Sequence, residues 1–247
     1  MQHVVIIGAT SAMAEHCARL WVQAAPVRLT LVGRDEARTQ RVAADLQVRS
    51  PASAIQVMTT DFVNASAIEQ TVRTITAIAP VDVVLIAHGV LSDQTLCQDD
   101  VLACDASLQV NGVSPVLFAE GFAKSMVAAN HGTIAIIGSV AGDRGRKTNY
   151  VYGAAKGLVS RYAQGMQHRL AHTNVKVVLI KPGPTDTPMT SDLKAKGQKM
   201  ASVEQVAQDI VKGIAAGKPV VYTPGIWQII MLVVMHLPRF VFNKLNI

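Results

Sequence analysis

The segment Tyr152-Gly153-Ala154-Ala155-Lys156 sets a phenol and an ammonium four residues apart. On a helix that spacing puts both on one face, about one turn from each other. A free phenol titrates near pH ~10, too high for ready proton exchange at neutral pH, and a neighbouring cation favours its ionised form. With Lys156 as that cation, Tyr152 becomes a general acid for carbonyl reduction and a base for alcohol oxidation. Ser139 lies thirteen residues earlier and follows the apolar run Thr133–Ile137 through Gly138. Its hydroxyl therefore stands at a strand end, able to hold a substrate oxygen together with the phenol. A Tyr-x-x-x-Lys pair alone is cheap, and a lone serine at a strand end is more often a cap. What gives the group weight is its register. Asn111 falls in the long helical stretch Val101–Ala129, followed by Gly112 and soon by Pro115. Both residues are irregular in a helix interior, and a local distortion there would free backbone carbonyls to bind water.

Those side chains need a scaffold that brings strand ends together. Apolar β-branched runs recur at Val4–Ile7, Val27–Val32, Ile55–Val57, Val81–Ile86, Thr133–Ile137, Val175–Ile180 and Val220–Tyr222. They are continuous, not alternating, which predicts burial on both faces, as in a parallel sheet covered by helices. Helix-length segments lie between them, at Ala12–Ala24, Glu36–Gln47, Ala65–Ile78, Val101–Ala129, Val151–His172 and Val203–Ala215. This alternation predicts a single α/β domain over residues 1–223: a Rossmann-like, doubly wound, seven-stranded parallel sheet with its ligand crevice at the strand carboxyl ends. Residues 224–247 form an apolar C-terminal tail.

The first strand runs into Gly8-Ala9-Thr10-Ser11-Ala12-Met13-Ala14 and directly on into a helical pattern. A dinucleotide pyrophosphate would rest there on backbone N–H groups at the helix N-terminus. Alanines stand at 12 and 14 where the usual fingerprint has glycine; each methyl crowds the approach without removing a donor. Ser11 is placed to cap the helix. The second strand ends in Gly33-Arg34-Asp35, with no carboxylate at the position that holds the ribose of NAD and an arginine suited to the 2′-phosphate of NADP. NADP(H) is the preferred cofactor and NAD(H) the alternative, since Asp35 lies only one residue late.

This first turn and the Ser139, Tyr152 and Lys156 group resemble the short-chain dehydrogenase/reductase family, over about residues 1–223. The resemblance implies that Gly8, Thr10, Ser11, Ala12, Met13 and Arg34 contact the cofactor, with Asp61-Phe62 beside the adenine and Ala87-His88-Gly89 along the cofactor's edge. It makes Asn111 the support of a water linking Lys156 to solvent, and it gives Tyr152 and Lys156 cofactor contacts of their own. Lys181-Pro182-Gly183-Pro184-Thr185-Asp186-Thr187 is similar to the family's Pro-Gly-x-x-x-Thr segment. That similarity assigns Pro182, Gly183, Thr185 and Thr187 to the nicotinamide carboxamide and Met189–Met200 to a substrate lid. A homodimer or homotetramer is the expected assembly.

The remaining features bound the function. No leader precedes the first strand, and Cys17, Cys97 and Cys104 form no C-x-x-C pair, so a cytoplasmic protein with buried thiols and no metal site is expected. The formal charge is +6, but the basic residues are scattered and aromatics are 4% of the chain, which argues against nucleic-acid binding. From Ile226 to Leu237 the tail is apolar apart from Gln228 and His236, too short to span a bilayer. A helix in the membrane interface through 226–245, with Trp227 at one end and Arg239 and Lys244 at the other, fits this pattern, as does packing against a second subunit. Tyr-x-Pro-Gly-x-Trp with such a tail is similar to ketoreductase subunits of bacterial decaprenylphosphoryl-ribose 2′-epimerases, which implies a lipid-linked keto sugar as substrate. The competing class is a catalytically idle Rossmann protein acting as a nucleotide sensor or scaffold, for which the lost glycines are the only argument.

Overall fold

The computed structural model describes residues 1–245. Seven parallel strands form one sheet: β1 (His3–Ile7), β2 (Arg28–Gly33), β3 (Ala54–Thr59), β4 (Val83–Ile86), β5 (Thr133–Ile137), β6 (Lys176–Pro182) and β7 (Val220–Thr223). Their order is β3-β2-β1-β4-β5-β6-β7, so the chain winds outward from β1 in one direction, returns, and winds out in the other. Ile7 pairs with both Val32 and Ile86, and Ile137 with Ile180, which aligns the carboxyl ends along one edge. The crevice of a doubly wound sheet opens there, at the switch between β1 and β4.

Period-2 alternation divides each central strand between two cores. Val4 and Ile6 face the side covered by α1 (Ala12–Ala24) and α9 (Val203–Ala215), where Cys17, Trp21, Val206 and Ile210 pack. Val5 and Ile7 face α3 (Ala65–Ile78), α6 (Ser114–Ala129) and α7 (Tyr150–Arg169), through Ile75, Phe118, Phe122 and Val159. Each such fully buried side chain contributes ~1.5–3 kcal/mol, so a two-sided sheet of this size has ample apolar surface to hold it. β3 departs from the expectation of two-sided burial. It is an edge strand whose residues are exposed or half-buried, because only β2 flanks it.

The remaining helices are α2 (Glu36–Arg49), α4 (Gln94–Asp99), α5 (Val101–Leu108), α8 (Ser191–Ala195), α10 (Ile226–His236) and α11 (Arg239–Phe242). The stretch 101–129 is long and apolar enough to cross a membrane, but it is a core element broken in its middle. Between α5 and α6 lies a single π turn, Gln109–Val113, with Asn111 at its centre. Such turns arise where one extra residue is fitted into a helix, and Gly112 shows why one is needed. A Cβ on Gly112 would lie 3.2 Å from the Ala155 backbone, so the two helices meet almost backbone to backbone. Cys17 and Cys97 are buried as expected, whereas Cys104 is only half-buried.

Candidate active site

Tyr152 and Lys156 lie in the first two turns of α7, and Ser139 closes β5 ahead of a 3-10 turn, Val140–Gly142. The turn packs hard on α7: a Cβ on Gly142 would stand 2.6 Å from the Lys156 carbonyl, and one on Gly153 would stand 2.9 Å from the Ala141 carbonyl oxygen. These two close approaches hold Ser139 and Tyr152 on the same side of the sheet end. Lys156 is almost wholly buried and donates from Nζ to the Ile137 carbonyl oxygen at 3.1 Å. Nζ lies 5.8 Å from the centre of the Tyr152 ring. Burial pulls the Lys156 ammonium down to about 8 and pushes the Tyr152 phenol up to about 12, with a hydrogen bond from Ser139 opposing the rise. Each charged form is penalised by the low-dielectric surroundings. A phenolate here therefore needs further positive charge.

Asn111 is fully buried. Its Nδ2 donates to the Ser107 carbonyl oxygen at 3.0 Å and its Oδ1 accepts from the Val90 amide at 2.9 Å, locking the π turn to the loop after β4. Between Asn111 and Lys156 sits Gly89, where a Cβ would come 2.8 Å from Asn111 Oδ1 and 3.6 Å from Lys156 Nζ. The fold thus gathers Asn111, Ser139, Tyr152 and Lys156 from three separate elements at the carboxyl end of β4 and β5.

The first turn is built for a close approach. Gly8 has φ +84°, and a Cβ on it would lie 2.6 Å from the His88 amide nitrogen, so only glycine fits. Gly8 and Ala9 donate to the Val32 carbonyl oxygen at 2.9 and 3.1 Å, joining the turn to β2. Ser11 occupies the N-cap position of α1, yet its side chain caps nothing, contrary to the sequence reading. The first-turn amides of α1 are left for another acceptor, which is the arrangement a pyrophosphate needs. Thr10, Ser11, Ala12 and Met13 are all half-exposed along this rim.

At the end of β2, the Thr39 hydroxyl fills the space of a Gly33 side chain, 2.0 Å from its Cβ position, and donates to the Asp35 carbonyl oxygen. A carboxylate at 33 cannot be accommodated without displacing Thr39. Asp35 does not turn inward: it caps α2 by accepting from the Arg38 amide at 2.9 Å. Arg34 is exposed beside it. A cavity of about 330 Å³ between the first turn, α1 and α2 is lined by Thr10, Glu15, Arg19, Arg38, Arg41 and Asp45. The sequence reading missed Arg38, because only the path of α2 brings it to the first turn. A larger cavity, about 760 Å³, lies at the opposite end of the sheet around Trp21, Asp82 and His131, away from the catalytic side chains.

Several expected contacts are redirected. Asp61 is exposed and accepts from the Val63 amide at 2.9 Å, while Asn64 caps α3. The Phe62 ring is buried in the core, 4.7 Å from His88 and 5.5 Å from Phe118 between ring centres, so only its backbone can meet a ligand. Ala87 is buried and donates its amide to Ile7 at 2.8 Å. His88 bonds the Ser114 hydroxyl through Nε2 at 2.8 Å, and its Nδ1 has no partner among the described residues. Burial, with Lys156 and Arg34 adding to it, pulls its imidazole down to about 3, so it is neutral at physiological pH and unsuited to be a base.

Pro182 ends β6, and Gly183 donates to the Thr223 carbonyl oxygen at 2.9 Å. Thr185 is buried and donates its hydroxyl to the Gly183 carbonyl oxygen at 3.0 Å; Thr187 forms a reciprocal cap with Thr190. Both hydroxyls therefore serve the loop's own shape. The Met189–Met200 stretch holds the one-turn helix α8. Trp227 is turned inward, its indole 2.0 Å from where a Gly183 Cβ would sit, and is no outward anchor for the tail. Arg144, on the loop after Ser139, donates to the Leu237 carbonyl oxygen at 2.8 Å and covers the Phe242 ring at 3.7 Å. Nearby, Asp143 is buried with Lys181 as an ion pair and accepts from the Tyr222 hydroxyl at 2.9 Å. The loops carrying Ser139 and Gly183 are thereby tied to each other and to the tail.

Comparison with known proteins agrees with this geometry. Residues 2–198 match the family model described as short chain dehydrogenase. An uncharacterised oxidoreductase of Streptomyces coelicolor is 25% identical over 242 residues, covering 98% of this chain and 95% of that protein. An uncharacterised oxidoreductase of Mycobacterium tuberculosis is 30% identical over 166 residues, covering 67% of this chain and 66% of that one. A short-chain dehydrogenase from Sphingobium yanoikuyae, solved with NADPH, superposes with a TM-score of 0.84 at 19% identity over 100% of this chain and 97% of its own. An actinorhodin polyketide ketoreductase variant with NADPH gives 0.80 at 18% identity, covering 90% and 95%.

Proposed function

The chain belongs to the short-chain dehydrogenase/reductase family, and from that premise we propose that it is an NADP(H)-dependent oxidoreductase interconverting a carbonyl and an alcohol through Tyr152. The observation that carries this reading is the gathering of Tyr152, Lys156, Ser139 and Asn111 at one sheet end, beside a first turn with uncapped helix amides. When bound, the nicotinamide supplies or accepts the hydride. Ser139 and the Tyr152 phenol hold the substrate oxygen, and Tyr152 gives it a proton during reduction or takes one during oxidation. The Lys156 ammonium steadies the phenolate left behind, and Asn111 supports the route by which Lys156 exchanges protons with solvent. The carboxamide end lies against the backbone of Pro182, Gly183, Thr185 and Thr187, a loop whose shape the two threonine hydroxyls hold. Thr10, Ser11, Ala12 and Met13 hold the pyrophosphate.

Arg34 and Arg38 support NADP(H) over NAD(H), since a guanidinium pairs strongly with a phosphate and no carboxylate can occupy position 33. Calorimetric titration with NADPH and NADH tests this. Binding of NADPH at micromolar levels, at least ~10-fold tighter than NADH, is expected, as each lost charge-assisted contact is worth ~1.5–3 kcal/mol. Replacing Arg34 and Arg38 with alanine should abolish the preference. An idle scaffold should bind neither dinucleotide and reduce no ketone.

The substrate we favour is borne on a lipid surface. Ile226, Ile229, Ile230 and Val233 follow an i, i+3, i+4, i+7 pattern along α10, yet they are exposed, and Phe240 is 72% exposed. No Asp or Glu follows Asp209, while Arg239 and Lys244 follow the stripe, a pattern suited to an anionic bilayer at the inner face of the cell membrane. A second exposed patch, Leu96, Val101, Leu102 and Leu158 on α4, α5 and α7, is available for a homodimer or homotetramer, so subunit packing does not require the tail. Flotation on vesicles containing phosphatidylglycerol should carry the full chain upward, and Ile229→Ser with Val233→Ser should leave it at the bottom. Flotation unchanged by the pair, with an altered oligomeric state, would assign the stripe to subunit contact.

A further inference from the structure

Of the ion pairs among the described residues, one alone is buried: Lys181 with Asp143, whose side chains are 7% and 3% exposed. The Tyr222 hydroxyl donates to the second Asp143 oxygen at 2.9 Å and lies 3.5 Å from Lys181 Nζ, closing a three-way contact. Burial and the Asp143 carboxylate push the Tyr222 phenol upward, so it keeps its proton and stays a donor. Stability does not explain such a pair. Taking two charges out of water costs about what their attraction returns, and an apolar set of similar volume holds a fold as well or better. What the charges add is a short, directed bond that fixes one element against another.

Their place in the fold says which elements are fixed. Ser139 lies in a short turn, both ends of which are anchored on β6. At one end the Gly138 amide donates to the Ile180 carbonyl oxygen at 2.8 Å; at the other, Asp143 meets Lys181, the next residue of that strand. The turn also rests on α7, where a Cβ on Gly142 would stand 2.6 Å from the Lys156 carbonyl. It is thus referenced to the catalytic helix on one side and to β6 on the other. Directly after Lys181, β6 ends at Pro182 and runs into Gly183, whose amide donates to the carbonyl oxygen of Thr223, the neighbour of Tyr222. The same three side chains therefore join the turn that carries Ser139 to the segment assigned to the nicotinamide.

We infer that Asp143, Lys181 and Tyr222 are positioning residues that set the spacing between the Ser139 hydroxyl and the Pro182-Gly183 segment, and so the distance over which hydride passes. This rests on the dehydrogenase reading for the reaction itself. Reacting atoms must come within about 3–3.5 Å, and a misplacement of about 1 Å costs on the order of 10²-fold in rate. The three act through Ser139 and Gly183, not by contact with the reacting atoms.

The test follows NADPH oxidation by the full chain in single turnover, with cyclohexanone, acetophenone and decan-2-one as probes. The triple variant Asp143→Leu, Lys181→Met, Tyr222→Phe leaves no member of the contact charged or unpaired, so its stability in urea should equal or exceed that of the native protein. Its hydride step should be slower by ~30-fold or more, while NADPH affinity and the KM for ketone change less than ~3-fold. Asp143→Asn with Lys181→Met, a smaller change of shape, should show the same split. Tyr222→Phe alone keeps the ion pair and should retain the rate within ~3-fold. A hydride step within ~5-fold of native in either multiple variant, or a fall in rate matched by an equal weakening of NADPH or by lost stability in both, overturns the positioning role. No NADPH oxidation by the native protein with any of the three ketones overturns the oxidoreductase reading and this role with it; native turnover that the variants leave unchanged overturns the role alone.

Discussion

The turn after β1 and the turn after β5 open on the same end of the sheet, with β4 between them, yet they tolerate change very differently. In the Gly8–Met13 turn the working atoms are backbone amides. Alanine at 12 alters the approach but deletes no donor, and only Gly8, pressed against His88 with a left-handed φ, is irreplaceable. In the Ser139–Lys156 region the working atoms are a hydroxyl, a phenol and an ammonium, and the backbones that carry them touch at Gly142 and Gly153. Where the peptide supplies the donors, a changed side chain leaves them in place. Where side chains do it, both the residues and the packing beneath them must stay.

The hardest blow to that contrast would come from Tyr152→Phe. It should lower kcat by at least ~10³-fold, the span of general acid-base catalysis, while NADPH affinity changes less than ~3-fold. A single-turnover rate within ~10-fold of the native protein's would show that Tyr152 does not move the proton.

Gly142→Ala comes next. The added methyl would lie 2.6 Å from the Lys156 carbonyl, where backbone cannot yield cheaply, so a loss of ~1–3 kcal/mol in denaturant unfolding and a fall in kcat are expected. Unchanged stability would show that the 3-10 turn is loosely held.

Lys156→Met sharpens the contrast through pH. The folded-state pKa of Lys156, about 8, lies below the unfolded value near ~10.4. The buried ammonium therefore destabilises the fold fully below pH ~8, and the penalty fades as pH rises toward ~10.4. The variant should lose turnover yet gain ~1–3 kcal/mol at pH 7, with the gain vanishing near pH 10; a gain independent of pH would attribute it to packing alone.

The smallest effect is expected from Ala12→Gly. Restoring the missing glycine should tighten NADPH by no more than ~3-fold, and helix propensity should cost ~1 kcal/mol or less in stability. A tightening of 100-fold would mean that the methyl at 12 obstructs the phosphates, and that the first turn is less tolerant than its intact amides imply.

Much of this molecule can be read from residue order alone. Continuous apolar runs spaced by helix-length segments give seven strands and a parallel sheet, because hydrophobic periodicity is a local property. The strand it misjudged, β3, lies at the sheet edge, and edge position is settled by neighbours that no local pattern reports. The grouping of Tyr152, Lys156 and Ser139 is legible for a similar reason, since a helix turn and a strand end fix their register. The irregularity around Asn111 was signalled by Gly112 and Pro115, and it takes the form of a π turn.

Other features depend on chain segments far apart in sequence. Trp227 against Gly183, Arg144 on the end of α10, Arg38 beside Thr10 and Thr39 in the space of residue 33 are products of how elements pack. So are the unpartnered polar atoms of Gln94, Arg146 and Asn149: each is an ordinary polar residue in the sequence, and only burial of one atom without a partner among the described residues singles it out. Sequence by itself determined the elements, the family and the register of Tyr152, Lys156 and Ser139, because those rest on spacing along one chain direction. Tertiary structure alone decided which hydrogen-bonding groups are left unsatisfied and which apolar faces point outward, because desolvation is a property of the assembled surroundings and not of any residue.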